Sequence, residues 1–201
     1  MKAKVRIILA AMLCVACLAA LVGCSGNNDK NDETGSEKKT LTVGFDQDFP
    51  PYGYVGEDGE FTGFDIDLAK EAAKRLDMEL KLQPIDWNSK DMELSSGAID
   101  CIWNGFTING REDDYTWTVP YMDNSQVFVV KASSKIETFE DLAGKIVTAQ
   151  ADSAALHALE SDDYKGLTAS FKELLTRAEY NTAFMELEAG SIDAIAMDIG
   201  V

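Results

Sequence analysis

The sequence predicts an α/β fold with mostly parallel sheets, divided into two lobes. Beyond residue 40, strand-like segments alternate with helix-like segments, which is the order expected of parallel β-α-β units. An internal repeat is the second observation, since residues 92–102 and residues 185–195 both read M-E-L-x-x-G-x-I-D-x-I. Helix–glycine–strand junctions all look somewhat alike, but seven identities at one fixed offset favour two copies of one unit. Two copies indicate two lobes of similar architecture.

The N-terminus has the layout of a secretory signal peptide. Three basic residues within the first six precede an apolar stretch at residues 7–22 that is too short to span a membrane comfortably. Residues 21–24 (LVGC) resemble the lipobox of bacterial lipoproteins, in which the cysteine thiol receives the lipid. We therefore predict a signal peptide at residues 1–23 and lipidation of Cys24, with an uncleaved anchor as the alternative. Either way, the folded part is expected on the extracellular face of the cell membrane.

The mature chain is predicted to be strongly acidic. The formal charge of the whole chain is −17, and it becomes more negative once the basic N-terminus is removed. Such a surface argues against binding nucleic acid or anionic lipid through charge. Cys101 is the one thiol outside residues 1–24. It lies in an apolar strand pattern, so a buried and inert cysteine is expected rather than a nucleophile.

Residues 24–40 are predicted to form a flexible tether that begins at the lipidated cysteine. Residues 25–40 contain no aliphatic or aromatic side chain and cannot bury enough surface to fold. Folded structure is expected from Leu41, with the first lobe at residues 41–128 and the second at residues 129–201. The extended segment at residues 126–131 lies between the two copies of the repeat, so it is the expected crossover.

The elements of the first lobe follow from local patterns. Strands are predicted at residues 41–45, 79–82 and 99–103, and helices at residues 64–76 and 90–96. The apolar face predicted for the first helix consists of Leu68, Ala69, Ala72, Ala73 and Leu76. Asp65 and Asp67 lie in its first turn, where the helix dipole favours acids. Gly97 follows the second helix and is expected to end it.

The sequence offers little support for catalysis. His157 is the only histidine, and it lies in a helical pattern among apolar residues. No cluster of His, Cys and Asp has metal-ligand spacing, no Gly-rich phosphate loop is present, and no nucleophile has an evident base. We therefore expect a binding protein with no cofactor and no metal, rather than an enzyme.

Four segments resemble the family 3 extracellular solute-binding proteins, the polar amino-acid receptors of ABC importers. They are residues 63–76 (GFDIDLAKEAAKRL), 104–111 (NGFTINGR), 139–145 (FEDLAGK) and 192–198 (IDAIAMD). The resemblance implies a two-lobed, type II periplasmic-binding-protein-like fold with an amino acid bound between the lobes. It also implies a monomeric receptor with an ABC permease as its partner. The family continues beyond the strand that carries Asp198, so the second crossover and the end of the first lobe are expected to be missing.

The resemblance implies a pocket built by both lobes. Its expected members are Asp46, Phe49, Trp87, Asn104, Gly105, Thr107, Arg111, Gln150, Ser153, Ala154 and Asp198. In the first lobe, Arg111 would hold the ligand α-carboxylate, because a guanidinium matches a carboxylate with two parallel hydrogen bonds. Thr107 and the backbone around Asn104 and Gly105 would donate to the same group. The alternative for Arg111 is a surface position in an otherwise polar run.

The remaining expected contacts concern the ammonium and the side chain of the ligand. Asp198 would pair with the α-ammonium, unless it is a solvated acid at a strand end. Phe49 and Trp87 would stack on the ligand side chain, unless they are core residues, and Asp46 would meet its polar end. The loop from Gln150 through Ser153 and Ala154 would offer free backbone amides.

One position in that loop departs from the family. Asp152 stands where relatives often have glycine. A second acid near the cleft favours a neutral or cationic ligand side chain over an acidic one.

Two alternative functions remain open from the sequence. This fold has relatives with dehydratase activity, in which an acid in the same cleft handles a proton. A ligand-sensing module without transport is the other alternative. The lipobox favours the importer receptor over the sensor, because a sensing lobe is usually continuous with a membrane helix.

Overall fold

The structure is a computed structural model, and it describes residues 38–201. The predicted signal peptide, the lipidation site at Cys24 and most of the predicted tether lie outside the described residues. Within residues 38–201, no helix is long and apolar enough to cross a membrane.

Helices and strands alternate along the described chain, and the predicted α/β class is confirmed. The strands are β1 (Thr40–Phe45), β2 (Asp48–Phe49), β3 (Gly53–Val55), β4 (Phe61–Thr62), β5 (Glu79–Pro84), β6 (Cys101–Ile102), β7 (Gln126–Val130), β8 (Ile146–Gln150), β9 (Glu173–Arg177) and β10 (Ala194–Asp198). The α-helices are α1 (Phe64–Arg75), α2 (Lys90–Ser95), α3 (Ala154–Glu160), α4 (Lys165–Ser170) and α5 (Tyr180–Ala189).

The first lobe is built on a sheet in the order β5-β1-β6, in which both pairings are parallel. A small antiparallel sheet of β2, β3 and β4 joins β1 to α1. Val43 and Phe45 of β1 are fully buried. The half-buried Cys101 of β6 has a raised pKa, because burial and then the nearby Asp100 charge disfavour its thiolate.

The second lobe is built on a sheet in the order β7-β10-β8-β9. Its β8–β9 and β8–β10 pairs are parallel, whereas β7 runs antiparallel to β10. The predicted crossover segment therefore forms the edge strand of this sheet, and the proposed lobe boundary after residue 128 falls inside β7. Apolar residues from β8, β10 and α3 form the core on one side of the sheet.

Helix α1 begins where a glycine is required. Gly63 has φ +129°, and a Cβ added there would lie 2.2 Å from the Tyr52 carbonyl oxygen. The helix buries Ile66, Ala69 and Ala73. The prediction for Leu76 was wrong: it is 62% exposed, because the helix ends at Arg75 and the chain turns away.

The two copies of the repeat have the same hydrogen bonds as well as the same sequence. In α2, the amide of Gly97 donates to Leu94 O and that of Ala98 to Glu93 O, and the glycine has φ +76°. The corresponding bonds after α5 are Gly190 N to Leu187 O and Ser191 N to Glu186 O, with φ +79° at the glycine. Both helices thus end in the paired backbone bonds that a left-handed glycine permits.

An aspartate then joins each copy to the neighbouring parallel strand. Asp100 N donates to Thr42 O at 2.8 Å, and Asp100 Oδ2 accepts from Thr42 N at 2.7 Å. In the second lobe, Asp193 N donates to Ile146 O at 2.9 Å, and Asp193 Oδ2 accepts from Ile146 N at 2.9 Å. The aspartate of the repeat therefore fixes the register in the first half of β1 and at the start of β8.

We expect D100A and D193A each to lower the free energy of unfolding by about 1 kcal/mol, because each removes a hydrogen bond to a strand-end amide. Urea denaturation followed by circular dichroism measures the change. E188A is the matched control on the exposed face of α5, and it should stay within about 0.5 kcal/mol of the parent protein. Unchanged midpoints for both aspartate variants would show that the repeat does not fix register in this way.

Candidate ligand-binding site

A small cavity lies where the carboxyl ends of strands from both sheets meet. In the first lobe, its walls are formed mainly by residues that come after β6. In the second lobe, they are formed by residues at or just after the ends of β8 and β10. The lining residues are Phe49, Trp87, Asn104, Gly105, Phe106, Thr107, Arg111, Gln150, Ser153, Ala154 and Asp198. The edge formed by strand carboxyl ends is the usual place for a ligand in an open α/β sheet.

Every predicted site residue except Asp46 lines this cavity. Asp46 lies directly behind it, in contact with Gln150. The structure thus brings the predicted set together, and the role of each residue in binding stays a prediction. Within residues 38–201, no group of three or more metal-ligating side chains forms.

The cavity measures about 20 Å³, which is room for about one water molecule. Hydrogen bonds from Arg111 to Asp152 and from Gln150 to Asp46 join the two lobes around it, so the cleft is in a closed form. An amino acid therefore needs the lobes to separate before it can enter. A larger groove of about 770 Å³ adjoins it on the first lobe beside β6. We place the site at the small cavity because the charged side chains of both lobes converge there.

Arg111 is a buried cation, 6% exposed. Its guanidinium carbon lies 4.9 Å from the ring centroid of Phe106. Nη1 donates to Thr107 O at 3.5 Å, and Nη2 donates to Asp152 O of the second lobe at 2.8 Å. The guanidinium is thus oriented by contacts from both lobes, and the surface position considered as its alternative is excluded.

An aromatic cluster supports this cation, and the sequence reasoning missed its central member. The Phe106 ring packs edge-on against Trp87, with ring centroids 5.1 Å apart. It lies 5.0 Å from each of Tyr115 and Trp117. Phe106 belongs to the segment that carried the family resemblance, so its place between two predicted residues was the available signal.

Asp198 ends β10 and provides the negative charge of the cavity. Its Oδ1 accepts hydrogen bonds from the side-chain amides of Asn124 and Gln126, the latter at 2.5 Å. Burial raises the pKa of Asp198, although these amides and Arg111 act in the opposite direction. A cation placed in the cavity would therefore be stabilised by a carboxylate that is poorly solvated.

Asp46 connects the two lobes behind the cavity. Its Oδ2 accepts from Gln150 Nε2 at 2.7 Å, and its backbone amide donates to Asn104 Oδ1 at 2.9 Å. Asp46 Oδ1 accepts from the Asp48 amide at 2.9 Å. Burial raises the pKa of Asp46 despite these bonds. Asp46 thus holds Gln150 in place in this closed form.

The loop after β6 is held by a chain of hydrogen bonds that the sequence did not reveal. The Gly105 amide donates to Tyr121 Oη at 3.0 Å, and Tyr121 Oη donates to Asp65 Oδ1 at 2.9 Å. Asp65 is 1% exposed and has a pKa raised by burial. The Gly105 amide, expected to donate to a ligand, is therefore already used within the chain.

Asp152 has a backbone conformation that suits glycine, the residue that the family resemblance led us to expect there. Its φ is +55°, in the left-handed region. Its carboxylate contacts Lys90 and lies 2.7 Å from His157 Nε2. Burial acts to raise the pKa of Asp152, but these two neighbours together hold it below its usual value. The charge of Asp152 is thus matched within the protein, and the preference for a neutral or cationic ligand side chain stays a prediction.

The next residues begin α3. Ser153 Oγ accepts from the Leu156 amide at 3.1 Å and caps the helix. This hydroxyl is therefore used locally as an acceptor.

Comparisons with known proteins agree with this architecture. Residues 41–196 match the family of bacterial extracellular solute-binding proteins, family 3. The L-cystine-binding protein TcyJ of Escherichia coli K12 is 31% identical over 81% of this chain, and the chain spans 60% of its length.

Solved structures give the same result. A substrate-binding protein of an ABC uptake transporter from Streptococcus pneumoniae, solved with bound histidine, has a TM-score of 0.76 and 36% identity over 80% of this chain and 66% of its own. The ancestral amino acid-binding protein AncCDT-1, described as a precursor of cyclohexadienyl dehydratase, has a TM-score of 0.72 and 32% identity over 79% of this chain and 70% of its own. The predicted family is confirmed: the chain belongs to the family 3 bacterial extracellular solute-binding proteins.

Proposed function

We propose that this protein is a receptor that captures a polar amino acid between its lobes and delivers it to an ABC importer. The observation that carries the proposal is the pair of opposite charges on one cavity. Arg111 from the first lobe and Asp198 from the second complement the carboxylate and the ammonium of an amino-acid zwitterion. Each charge is partly desolvated, so each is available for a strong interaction with a ligand.

Binding would begin on the first lobe. The Arg111 guanidinium has five N–H donors, and two of its nitrogens now donate to the carbonyl oxygens of Thr107 and Asp152. Its remaining donors would take the ligand carboxylate, with the Thr107 hydroxyl beside them. Phe49 and Trp87 would pack on the ligand side chain. Closure of the second lobe would then bring Asp198 onto the ammonium and stabilise the closed form.

The relatives support binding rather than catalysis. Their names describe proteins that bind cystine or histidine, and both ligands are amino acids with polar side chains. The ancestral neighbour that preceded a dehydratase is itself named an amino acid-binding protein. We therefore propose no enzyme activity for this chain. The transporter named in the histidine-bound relative favours an importer over a sensor.

We also propose that the receptor is a monomer held at the extracellular face of the membrane by lipid on Cys24. Residues 21–24 support the anchor, and residues 25–40 would give the domain its reach. Expression in a bacterial host with a radiolabelled fatty acid should label the protein, and C24S should abolish the label. Equal labelling of C24S would rule out this anchor.

The amino-acid ligand can be found by measuring thermal shifts with each proteinogenic amino acid and L-cystine. We expect at least one polar amino acid to raise the melting temperature, by a shift that grows with the logarithm of its concentration above the Kd. R111A should weaken the binding of that amino acid by about 30-fold or more, because the ligand carboxylate loses its charged partner. Isothermal titration calorimetry measures this loss.

R75A is the matched control for R111A. Arg75 pairs with Glu71 on an exposed face of α1, and its side chain is 77% exposed. This variant should bind as the parent protein does. An R111A protein with full affinity would remove the carboxylate assignment, and a protein that no amino acid stabilises would contradict the proposed function.

Affinity should also depend on pH through Asp198. Its folded-state pKa is raised by burial, so the carboxylate is ionised and binds the ammonium fully only above that raised value. Affinity is therefore expected to fall as the pH is lowered through that raised pKa, which a titration of affinity against pH would measure. D198N should bind weakly and lose this part of the pH dependence. If the affinity of D198N depended on pH as that of the parent does, a group other than Asp198 would be responsible.

A further inference from the structure

Lys90 is a charged side chain in an unfavourable place. It is 1% exposed, and it begins α2, where the positive end of the helix dipole disfavours a cation. Its Nζ lies over the rings of Trp87 and Phe106, 5.5 Å and 5.8 Å from their centroids. Asp91 is a distant partner at 3.8 Å and is itself 65% exposed. A buried ammonium needs a close counter-charge, and here Asp152 of the second lobe supplies it.

Two groups of Asp152, its carboxylate and its backbone carbonyl, contact cations of the first lobe. The carboxylate pairs with Lys90 and, through Oδ1, lies 3.9 Å from Arg111 Nη2, and the backbone carbonyl accepts from Arg111 Nη2 at 2.8 Å. His157, from its own lobe, lies 2.7 Å from Oδ1 and helps to orient the carboxylate. The backbone φ of +55° costs energy for any residue other than glycine. An aspartate in a position suited to glycine points to a use for its side chain.

We infer that Lys90 and Asp152 form a latch between the lobes, which stabilises the closed cleft and holds the Asp152 carbonyl against Arg111. The pair joins elements of different lobes, so it exists only while the cleft is closed. Neither side chain lines the cavity, so both are positioning residues rather than ligand contacts. The inference rests on the proposed function, because the pocket that the latch closes is the one proposed to hold an amino acid.

The latch links ligand affinity to residues that never touch the ligand. The affinity of a receptor that closes on its ligand contains the free energy of closing the empty cleft. Removal of the Asp152 charge leaves Lys90 unpaired when the lobes meet, whereas an open cleft lets water solvate it. The closed population then falls, and the apparent Kd rises by the same factor.

Four variants test the latch: D152N, D152G, K90M and K90M/D152N. D152N removes the charge while keeping a residue that tolerates the left-handed conformation. D152G removes the carboxylate and relieves the backbone cost together, so a loss of binding in D152G cannot come from backbone strain. D77N is the matched control, since Asp77 has φ +53° and an ion pair with Lys38 at 2.5 Å on the exposed surface of the first lobe.

Titration with L-histidine and with L-cystine should give Kd values about tenfold or more higher for each single variant. K90M/D152N should bind no more weakly than D152N, because D152N has already removed the pair that K90M removes. Small-angle scattering without ligand should give a larger radius of gyration for these variants than for the parent. D77N should match the parent in both measurements.

Two results would overturn the latch. One is unchanged affinity and unchanged radius of gyration in K90M and D152N, even if their stability to urea falls. The other is a ligand-free parent protein that is already as expanded as K90M. If the parent binds neither amino acid, that result counts against the proposed ligands, and the radius of gyration alone decides the latch.

Discussion

The buried guanidinium of Arg111 is the constraint on which the site depends. A cation that water cannot reach must be matched by ring faces, carbonyl oxygens and carboxylates. The first lobe provides the face of Phe106 and the carbonyl of Thr107, and the second provides the carbonyl of Asp152. Neither lobe alone completes this set. The charge of Arg111 is therefore one reason why the lobes meet where they do. It is also the reason why a ligand carboxylate would be stabilised between them.

The carboxylates of the cleft are negative charges that are also buried and only partly matched. Burial raises the pKa of Asp46 and of Asp198, so the protein holds each as an anion at a cost in stability. Side-chain amides offset only part of that cost. Asp152 differs, because Lys90 matches its charge, His157 hydrogen-bonds to it, and its pKa is lowered. The unmatched acid on the cavity is thus Asp198, which suits a ligand ammonium, whereas Asp152 suits a contact between lobes.

Local patterns predicted most of the fold, and long-range pairing explains what they missed. The repeat, the parallel strands and the start of α1 follow from glycine positions and from periodicity, which act over a few residues. Lys90 is different, because a lysine at the start of a short helix would be predicted to lie in solvent. Its partner Asp152 lies 62 positions later in the chain. Tyr121 likewise meets Asp65 across 56 positions. The predicted pocket came from family motifs, and no single-residue pattern could have added these partners.

The repeat also explains how one architecture supplies opposite chemistry to one cavity. At the offset that relates the two copies, Gly105 of the first lobe corresponds to Asp198 of the second, and both line the cavity. The first lobe has a left-handed glycine there, with φ +56°, whose loop leads on to Thr107 and Arg111. The second lobe has a carboxylate at the end of a straight strand. The loop that follows the first copy thus presents a cation to the cavity, and the strand of the second copy presents an anion, which is the arrangement that a zwitterion requires.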